Sequence, residues 1–406
     1  MLSGTKPLSG IRVLAVETQV SSPFCTMMLA DAGAEVIKIE PPGKGDVARE
    51  PGPILKNERG EKTSGYFMRF NRNKKSLTLN LKSEQARLIF KELIKASDVL
   101  VENLKPGTLT KMGLGYEQLQ ALNPRLVHAA ISGFGQMEGY AGPYSQRPAY
   151  DIVIQAMGGL MNLIGEENGQ PIHPMIAFGD IVPGMLTAYA IVLALYKRQL
   201  TGQGEYIDVA MFDVMMTLTE RANTLYSLTG NVMSRGKETL IHPWGAYKTS
   251  DGYVALIVLE SSMWEKFCNA VGKPELFKDP QFDNAMKRAK NRQALDPVIN
   301  EWMSGKTTEE ITGILLEAGV PAGPVRSAKE VYECPQASAR SMWIEVEDPV
   351  AGKVKLVGNP IKMKNVPVDS TALPAPGLGQ HTEALLSEIL GYDSEKIEKL
   401  RLEQLI

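Results

Sequence analysis

Apolar positions in the first third of the chain fall into short compact blocks separated by segments of helical period. IRVLAVE at 11–17, AEVIKIE at 34–40, DVLVEN at 98–103 and LVHAAISGFG at 126–135 read as strands buried on both faces. Between them, PFCTMMLADAG at 23–33, which ends at Gly33, and the segments 83–95 and 116–122 read as helices. Strand alternating with helix predicts a mostly parallel sheet covered by helices on both faces, a Rossmann-like α/β domain. Ligands of such sheets lie beyond the carboxyl ends of the strands.

The most apolar element follows. AFGDIVPGMLTAYAIVLALYKRQ predicts a helix over 181–198. Its apolar stretch, 181–196, is shorter than a membrane span and carries Pro183 and Gly184, so it reads as a buried helix of a large protein. Asp180 stands at its mouth, where a carboxylate is capped, paired or used. Two readings stay open: a helix cap with Pro183 in the first turn, or a catalytic carboxylate. TGQGEYIDVAMFD at 201–213 then reads as a turn and strand leading into a helix over 214–228. The hairpin pattern AYKTSDGYVALIV and helical segments at 261–270 and 291–318 predict a smaller α+β domain. WIEVED and KVKLV form a strand pair, followed by a loop over 357–379 and a helix over 381–388. The expected division is a large domain of 1–215 with 331–406, and a small one of 216–330 with its connecting segments.

Composition narrows the chemistry. With 44 Lys and Arg against 46 Asp and Glu, the chain has no overall charge that would favour nucleic acid or an anionic membrane. The basic run at 69–75 is the local exception, either a phosphate contact or a solvated turn. Cys25, Cys268 and Cys334 are scattered, giving neither a disulfide framework nor a thiolate cluster and pointing to a reducing compartment. His128, His173, His242 and His381 have no metal-binding spacing, so no metal is expected. The N-terminus has no basic region followed by an apolar core, hence no visible secretory signal. The first strand–helix turn is TQVSSP rather than G-x-G-x-x-G, which argues against a nicotinamide or flavin dinucleotide.

Spaced motifs in fixed order carry a family resemblance. They are LSGIRVLAVE, GAEVIKIEPP with GD at 45–46, NRNKKSLTLNLK, VENLKPGTLTKMGLGYEQLQALNPRLVHAAISGFG, RPAYDIVIQAMGGLM, GDIVPG, GQGEYIDVAMFD, AGVPAGPV and LGQHT. Over essentially its full length the chain resembles the class III CoA-transferases, the group of formyl-CoA transferase and carnitine CoA-transferase. The resemblance implies reversible transfer of coenzyme A from an acyl-CoA thioester to a free carboxylic acid. Coenzyme A would then be a substrate, with no permanently bound cofactor. It implies Asp180 as the nucleophile, forming a mixed anhydride and then an aspartyl thioester in a site that excludes water.

The resemblance also assigns the surroundings. Asp151 matches an acidic residue beside the nucleophile, with a cap for the following helix as the competing reading. Tyr150 matches a tyrosine near the substrate, with aromatic packing as its alternative. The related α-methylacyl-CoA racemases have histidine at the Tyr150 position. A phenol with a pKa of about 10 replaces imidazole poorly at neutral pH, which favours transfer over racemisation. Coenzyme A binding without catalysis is a third reading. Gln155, Gly158 and Gly159 fall in the same wall, either near a developing oxyanion or as a helix end. Asn103 and Lys111 match contacts to coenzyme A, Lys111 standing in place of an arginine; Val20, Glu40, Arg72 and Lys74 join them as expected contacts. The glycine-rich lid of formyl-CoA transferase has no counterpart in 229–247. That argues against formate and oxalate and for an acid of four or five carbons, dicarboxylic. Arg235 and Lys237 are the candidates for its second carboxylate. His242, Pro243 and Trp244 either shape the acceptor pocket or, for His242, serve structure. An interlocked homodimer and a cytoplasmic location, without nucleic-acid or membrane partners, complete what is expected.

Overall fold

The computed structural model describes residues 6–233, 235–236 and 240–406. The chain forms two compact units, one of Met1–Asn162, Ile172–Asn231 and Ser338–Ile406, the other of Leu163–Pro171 and Val232–Ala337. These borders differ from those read off the sequence. Residues 216–231 stay with the large unit, 331–337 go with the small one, and 163–171 leave the large unit altogether.

Six parallel strands form the large unit's main sheet: β1 (Arg12–Val16), β2 (Glu35–Glu40), β3 (Lys74–Thr78), β4 (Val99–Glu102), β5 (Val127–Ser132) and β6 (Glu205–Ala210). Their spatial order is β3-β2-β1-β4-β5-β6. The period of two divides the strand side chains between two cores. Leu14, Ile37, Leu77 and Leu100 meet Phe90, Leu93 and the C-terminal Leu385 and Leu386 on one face. Val13, Ala15, Val99 and Val101 meet Cys25, Leu29 and Ile191 on the other. Both faces are covered, which is why the strands read as apolar blocks.

Three helices place the site: α1 (Ser21–Asp31), α2 (Asp151–Met157) and α3 (Phe178–Thr201). At 24 residues, α3 is longer than the sequence pattern indicated and is long and apolar enough to cross a membrane by length and composition. Only one of its faces is buried, however, through Pro183, Gly184, Thr187, Ile191 and Leu195. Arg198 fastens its end to Asp98 at 3.0 Å. Gly184 is required where α3 crosses α1, because a Cβ there would lie 2.5 Å from the Ser21 carbonyl oxygen. Pro183 sits inside the helix rather than in its first turn.

The helix expected over 214–228 is two helices, Met211–Leu218 and Glu220–Thr229. Thr219 interrupts them, its hydroxyl donating to the Gly158 carbonyl at 3.0 Å. A smaller sheet of Trp343–Asp348, Gly352–Val357 and Thr371–Ala372 adds the strand pair read near the C-terminus.

The small unit is α+β. Trp244–Lys248, Tyr253–Ile257 and Ala322–Pro324 make an antiparallel sheet packed on helices Ser261–Ala270, Arg292–Ser304 and Thr308–Glu317. Arg288 is fully buried in it, its guanidinium 4.8 Å above the Trp264 ring and its Nε donating to the His242 carbonyl at 2.6 Å.

Candidate active site

Strand order reverses between β1 and β4, and the two chain segments leaving their carboxyl ends diverge there. A cleft of about 590 Å³ opens at this point. Gln19 and Val20 line it beyond β1, Asn103 and Lys105 beyond β4, and Arg147, Tyr150, Asp151 and Asp180 complete its wall. Asn103 ties the two strand ends together. Its Oδ1 accepts from the Thr18 amide at 3.0 Å, and its Nδ2 donates to the Thr18 carbonyl at 2.8 Å and the Ser21 hydroxyl at 3.2 Å.

Asp180 is half-buried in the first turn of α3. Its carboxylate makes no hydrogen bond to protein among the described residues, so it does not cap the helix. Asp151 does this from another helix: its Oδ1 accepts the Gly179 amide at 2.8 Å. A Cβ on Gly179 would lie 2.9 Å from the Asp151 carbonyl oxygen, so glycine there permits the approach. Nor does Asp151 cap α2, where Tyr150 holds the N-cap position without a side-chain bond. The fully buried Gln155 holds Asp151, its Nε2 lying 2.9 and 2.8 Å from the two carboxylate oxygens and 2.8 Å from the Ile176 carbonyl. His173 adds its Nε2 at 3.2 Å from Asp151 Oδ2. Burial, reinforced by the Asp151 charge, pushes the Asp180 carboxyl up from 3.8 to about 7. A carboxylate left without partners in a cleft, with its proton affinity near neutral, is available as a nucleophile.

The model of CoA-transferase family III matches residues 8–382. The chain belongs to CoA-transferase family III. A mouse succinyl-CoA:glutarate CoA-transferase is 36% identical over 97% of this chain and 89% of its own. A Haloarcula marismortui succinyl-CoA:mesaconate CoA-transferase is 36% identical over 94% and 96%. Among solved structures, a CAIB/BAIF family protein from Brucella suis superposes with a TM-score of 0.83 at 34% identity, covering 95% of this chain and all of the other. This protein is therefore an enzyme that moves coenzyme A between an acyl-CoA and a carboxylic acid.

The fold brings together only some of the side chains that the transferase's sequence nominated. Asp180, Asp151, Tyr150, Val20 and Asn103 line the cleft. Tyr150 is 69% exposed in the single chain, with its side chain at the cleft wall. Gln155 lies behind Asp151 and orients it. Gly158 is a helix end, chosen because a Cβ would lie 2.3 Å from Met215 Cγ.

Three expected coenzyme A contacts are instead structural. Arg72 is buried in a two-bond pair with Asp31, at 3.1 and 2.6 Å. Lys74 is buried with its ammonium bound to Glu17 at 2.8 Å, the Pro23 carbonyl at 3.0 Å and Asn71 at 3.1 Å, leaving no proton for a phosphate. Glu40 is buried against the Arg49 guanidinium, at 2.8 and 2.7 Å. Lys111 is exposed at the end of the short helix Thr108–Lys111, outside the cleft lining, whereas Lys105 lines it.

In the small unit, His242 is buried with Nε2 3.0 Å from Asp296, a structural histidine. The Arg235 guanidinium donates to the Gly169 carbonyl. Lys237 lies outside the described residues.

Sequence reasoning missed Gln19, Tyr66 and His173. Gln19 lines the cleft with φ at +65°, a conformation L side chains rarely adopt. Asp46 holds it there, accepting from its amide at 3.2 Å and from the Thr18 hydroxyl at 2.6 Å. Tyr66 faces the cleft beneath the Arg69 guanidinium, 4.3 Å from its ring. Burial raises the Tyr66 phenol, Arg69 opposes this, and the charge of Asp180 adds to it. None of the three had a sequence signal; only Asp46, the partner of Gln19, had one, in the GD motif.

Proposed function

We propose that the enzyme transfers coenzyme A reversibly from a short acyl-CoA, succinyl-CoA foremost, to an organic acid of four or five carbons, through covalent intermediates on Asp180. The observation that carries this reading is the Asp180 carboxylate in the switch-point cleft, without a hydrogen-bond partner among the described residues and anchored through Gly179 by Asp151. An Asp180 oxygen attacks the thioester carbonyl; the C–O bond forms, the C–S bond breaks, and coenzyme A thiolate leaves an acyl-aspartyl anhydride. The thiolate then attacks the Asp180 carbonyl carbon, releasing the donor acid and leaving an aspartyl thioester. The acceptor carboxylate reverses both steps and frees Asp180. Asp180's place at a helix N-terminus offers partial positive potential to these anions. Lys105 and Arg147 in the cleft wall are the cations suited to substrate phosphate or carboxylate groups.

Relatives named for succinyl-CoA with glutarate, mesaconate or D-citramalate support the acid size. Relatives named for oxalate at 35% and 33% identity make oxalate the competitor to test. Purified enzyme offered acetyl-, succinyl- and branched acyl-CoA against a panel of acids, with products resolved by mass, decides among them. A four- or five-carbon dicarboxylate is expected to give the highest kcat/KM; oxalate in first place would refute the acid-size argument. Hydroxylamine trapping is expected to label Asp180 only when donor is present. Deuterium uptake at carbon 2 of a 2-methylacyl-CoA without acceptor would replace transfer by racemisation.

The working form proposed is a homodimer. The face of α3 turned from the sheet exposes Met185, Tyr189, Val192 and Tyr196, at successive spacings of four, three and four. An apolar cavity of about 350 Å³ beside Tyr189 and Val192, lined also by Met28, Ile361 and Met363, continues that surface. Apolar surface of this extent supports coverage by a second copy.

A further inference from the structure

We propose that His173 is a positioning residue for the transfer reaction, its Nε2–H donating to Asp151 Oδ2 and so fixing the carboxylate that anchors the first turn of α3. This rests on the transferase reading above.

The hydrogen-bond arithmetic assigns the proton. An ionised Asp151 only accepts, so at 3.2 Å the imidazole Nε2 must be the donor. The two protons on Gln155 Nε2 are taken by the Asp151 carboxylate and the Ile176 carbonyl, at 2.8–2.9 Å. None remains for His173, although its Nε2 lies 3.2 Å from that nitrogen. Asp151 Oδ1 is thereby held by Gly179 and Gln155, and Oδ2 by Gln155 and His173.

This arrangement bears on chemistry because Asp151 is the like charge facing Asp180. Each donor on Asp151 draws off part of that charge and fixes its distance from the nucleophile. Removing His173's proton leaves Oδ2 to Gln155 alone, strengthens repulsion and makes Asp180 harder to ionise. The groups around the pair are few. Gln155 faces Asp151 from α2, His173 from the segment preceding α3, and Gly179 and Asp180 from α3. Tyr66, Tyr150, Lys105 and Arg147 stand in the cleft wall, with Arg69 over Tyr66. No lysine or arginine is bonded to Asp151 among the described residues, so the imidazole and the Gln155 amide are its side-chain donors.

The test compares His173→Phe with His173→Gln, whose amide keeps a donor. In His173→Phe the acidic limb of kcat/KM is expected to move up in pH, making the loss at pH 6 roughly three- to tenfold larger than at pH 8. His173→Gln is expected to restore the wild-type limb. A loss equal at both pH values, or an unchanged profile in His173→Phe, overturns the proposal, as does a His173→Gln limb displaced like that of His173→Phe. His173→Ala substitutes if the Phe variant does not fold. Hydrogen exchange at the Gly179 amide supplies a substrate-free reading, expected to quicken at least about tenfold, or 1.4 kcal/mol, in His173→Phe; unchanged exchange also overturns the proposal. If wild type transfers coenzyme A to no acid, the transferase reading fails while the exchange measurement still judges His173.

Discussion

Burial and Asp151 hold the Asp180 carboxyl at about 7, so its charged form works against folding while the proposed chemistry requires it. The sign follows from linkage. The native carboxyl binds its proton more tightly than the unfolded one, so stability is lost as pH rises from about 4 to about 7 and stays lost above. Asp180→Asn is therefore expected to abolish transfer, leaving well under a tenth of wild-type turnover, and to raise stability at pH 8 by on the order of 2 kcal/mol. That gain should fade as pH falls towards 4. Denaturant titrations at pH 8 and pH 5 beside activity assays check both halves; a variant less stable than wild type at pH 8 would contradict the burial argument. For the wild-type enzyme, kcat/KM is expected to fall below an acidic midpoint near 7. A flat profile between pH 5 and 8 would show that Asp180 ionises normally.

At the scale of elements, the cleft depends on how helices and strand ends are joined. Gly179→Ala places a methyl carbon 2.9 Å from the Asp151 carbonyl oxygen, and α2 must give way. The expected result is a fall in kcat of tenfold or more with a stability loss of about 1–3 kcal/mol. Activity within twofold of wild type would show that the α2–α3 junction tolerates the shift.

Beneath β1 and β2, the buried Lys38 and Lys74 ammonium groups meet Glu17 and Asp46 at 2.8–3.4 Å. Burial works against the Asp46 carboxylate, but Lys38 and its hydrogen-bond donors outweigh it and hold it below the usual range. Lys74→Met leaves a negative charge there uncompensated and is expected to cost about 3–5 kcal/mol by chemical denaturation. If Lys74 instead served coenzyme A alone, the variant would keep its stability and lose donor affinity. The basic run at 69–75 shows why such residues misled. Lys and Arg in a turn look the same in sequence whether they face solvent, a phosphate or a buried carboxylate from another strand. Their partners Asp31 and Glu17 lie 41 and 57 positions away.

For the whole molecule, the apolar face of α3 is expected to be covered by a second copy. Light scattering should give twice the 44.4 kDa chain mass, and Tyr189→Glu with Tyr196→Glu should lower soluble yield or thermal stability. A monodisperse species at the chain mass would remove the dimer from the reading.

Local pattern was enough for the parallel α/β architecture and the small α+β unit, because buried strands and helices carry their apolar period in contiguous residues. Ordered motifs were enough for the family, and they put Asp180 forward as the candidate nucleophile. The sequence could not say that Asp151 would cap a helix 28 positions away while Asp180 stayed without a hydrogen-bond partner among the described residues, since both are carboxylates at the start of apolar helices. Nor could it separate Lys105, in the cleft, from Lys111 outside it, or join His173 to Asp151. Those relations depend on distances between strand ends and helix starts. Strand order and the close crossing of α1 and α3 at Gly184 set them, and no local spacing in the chain encodes them.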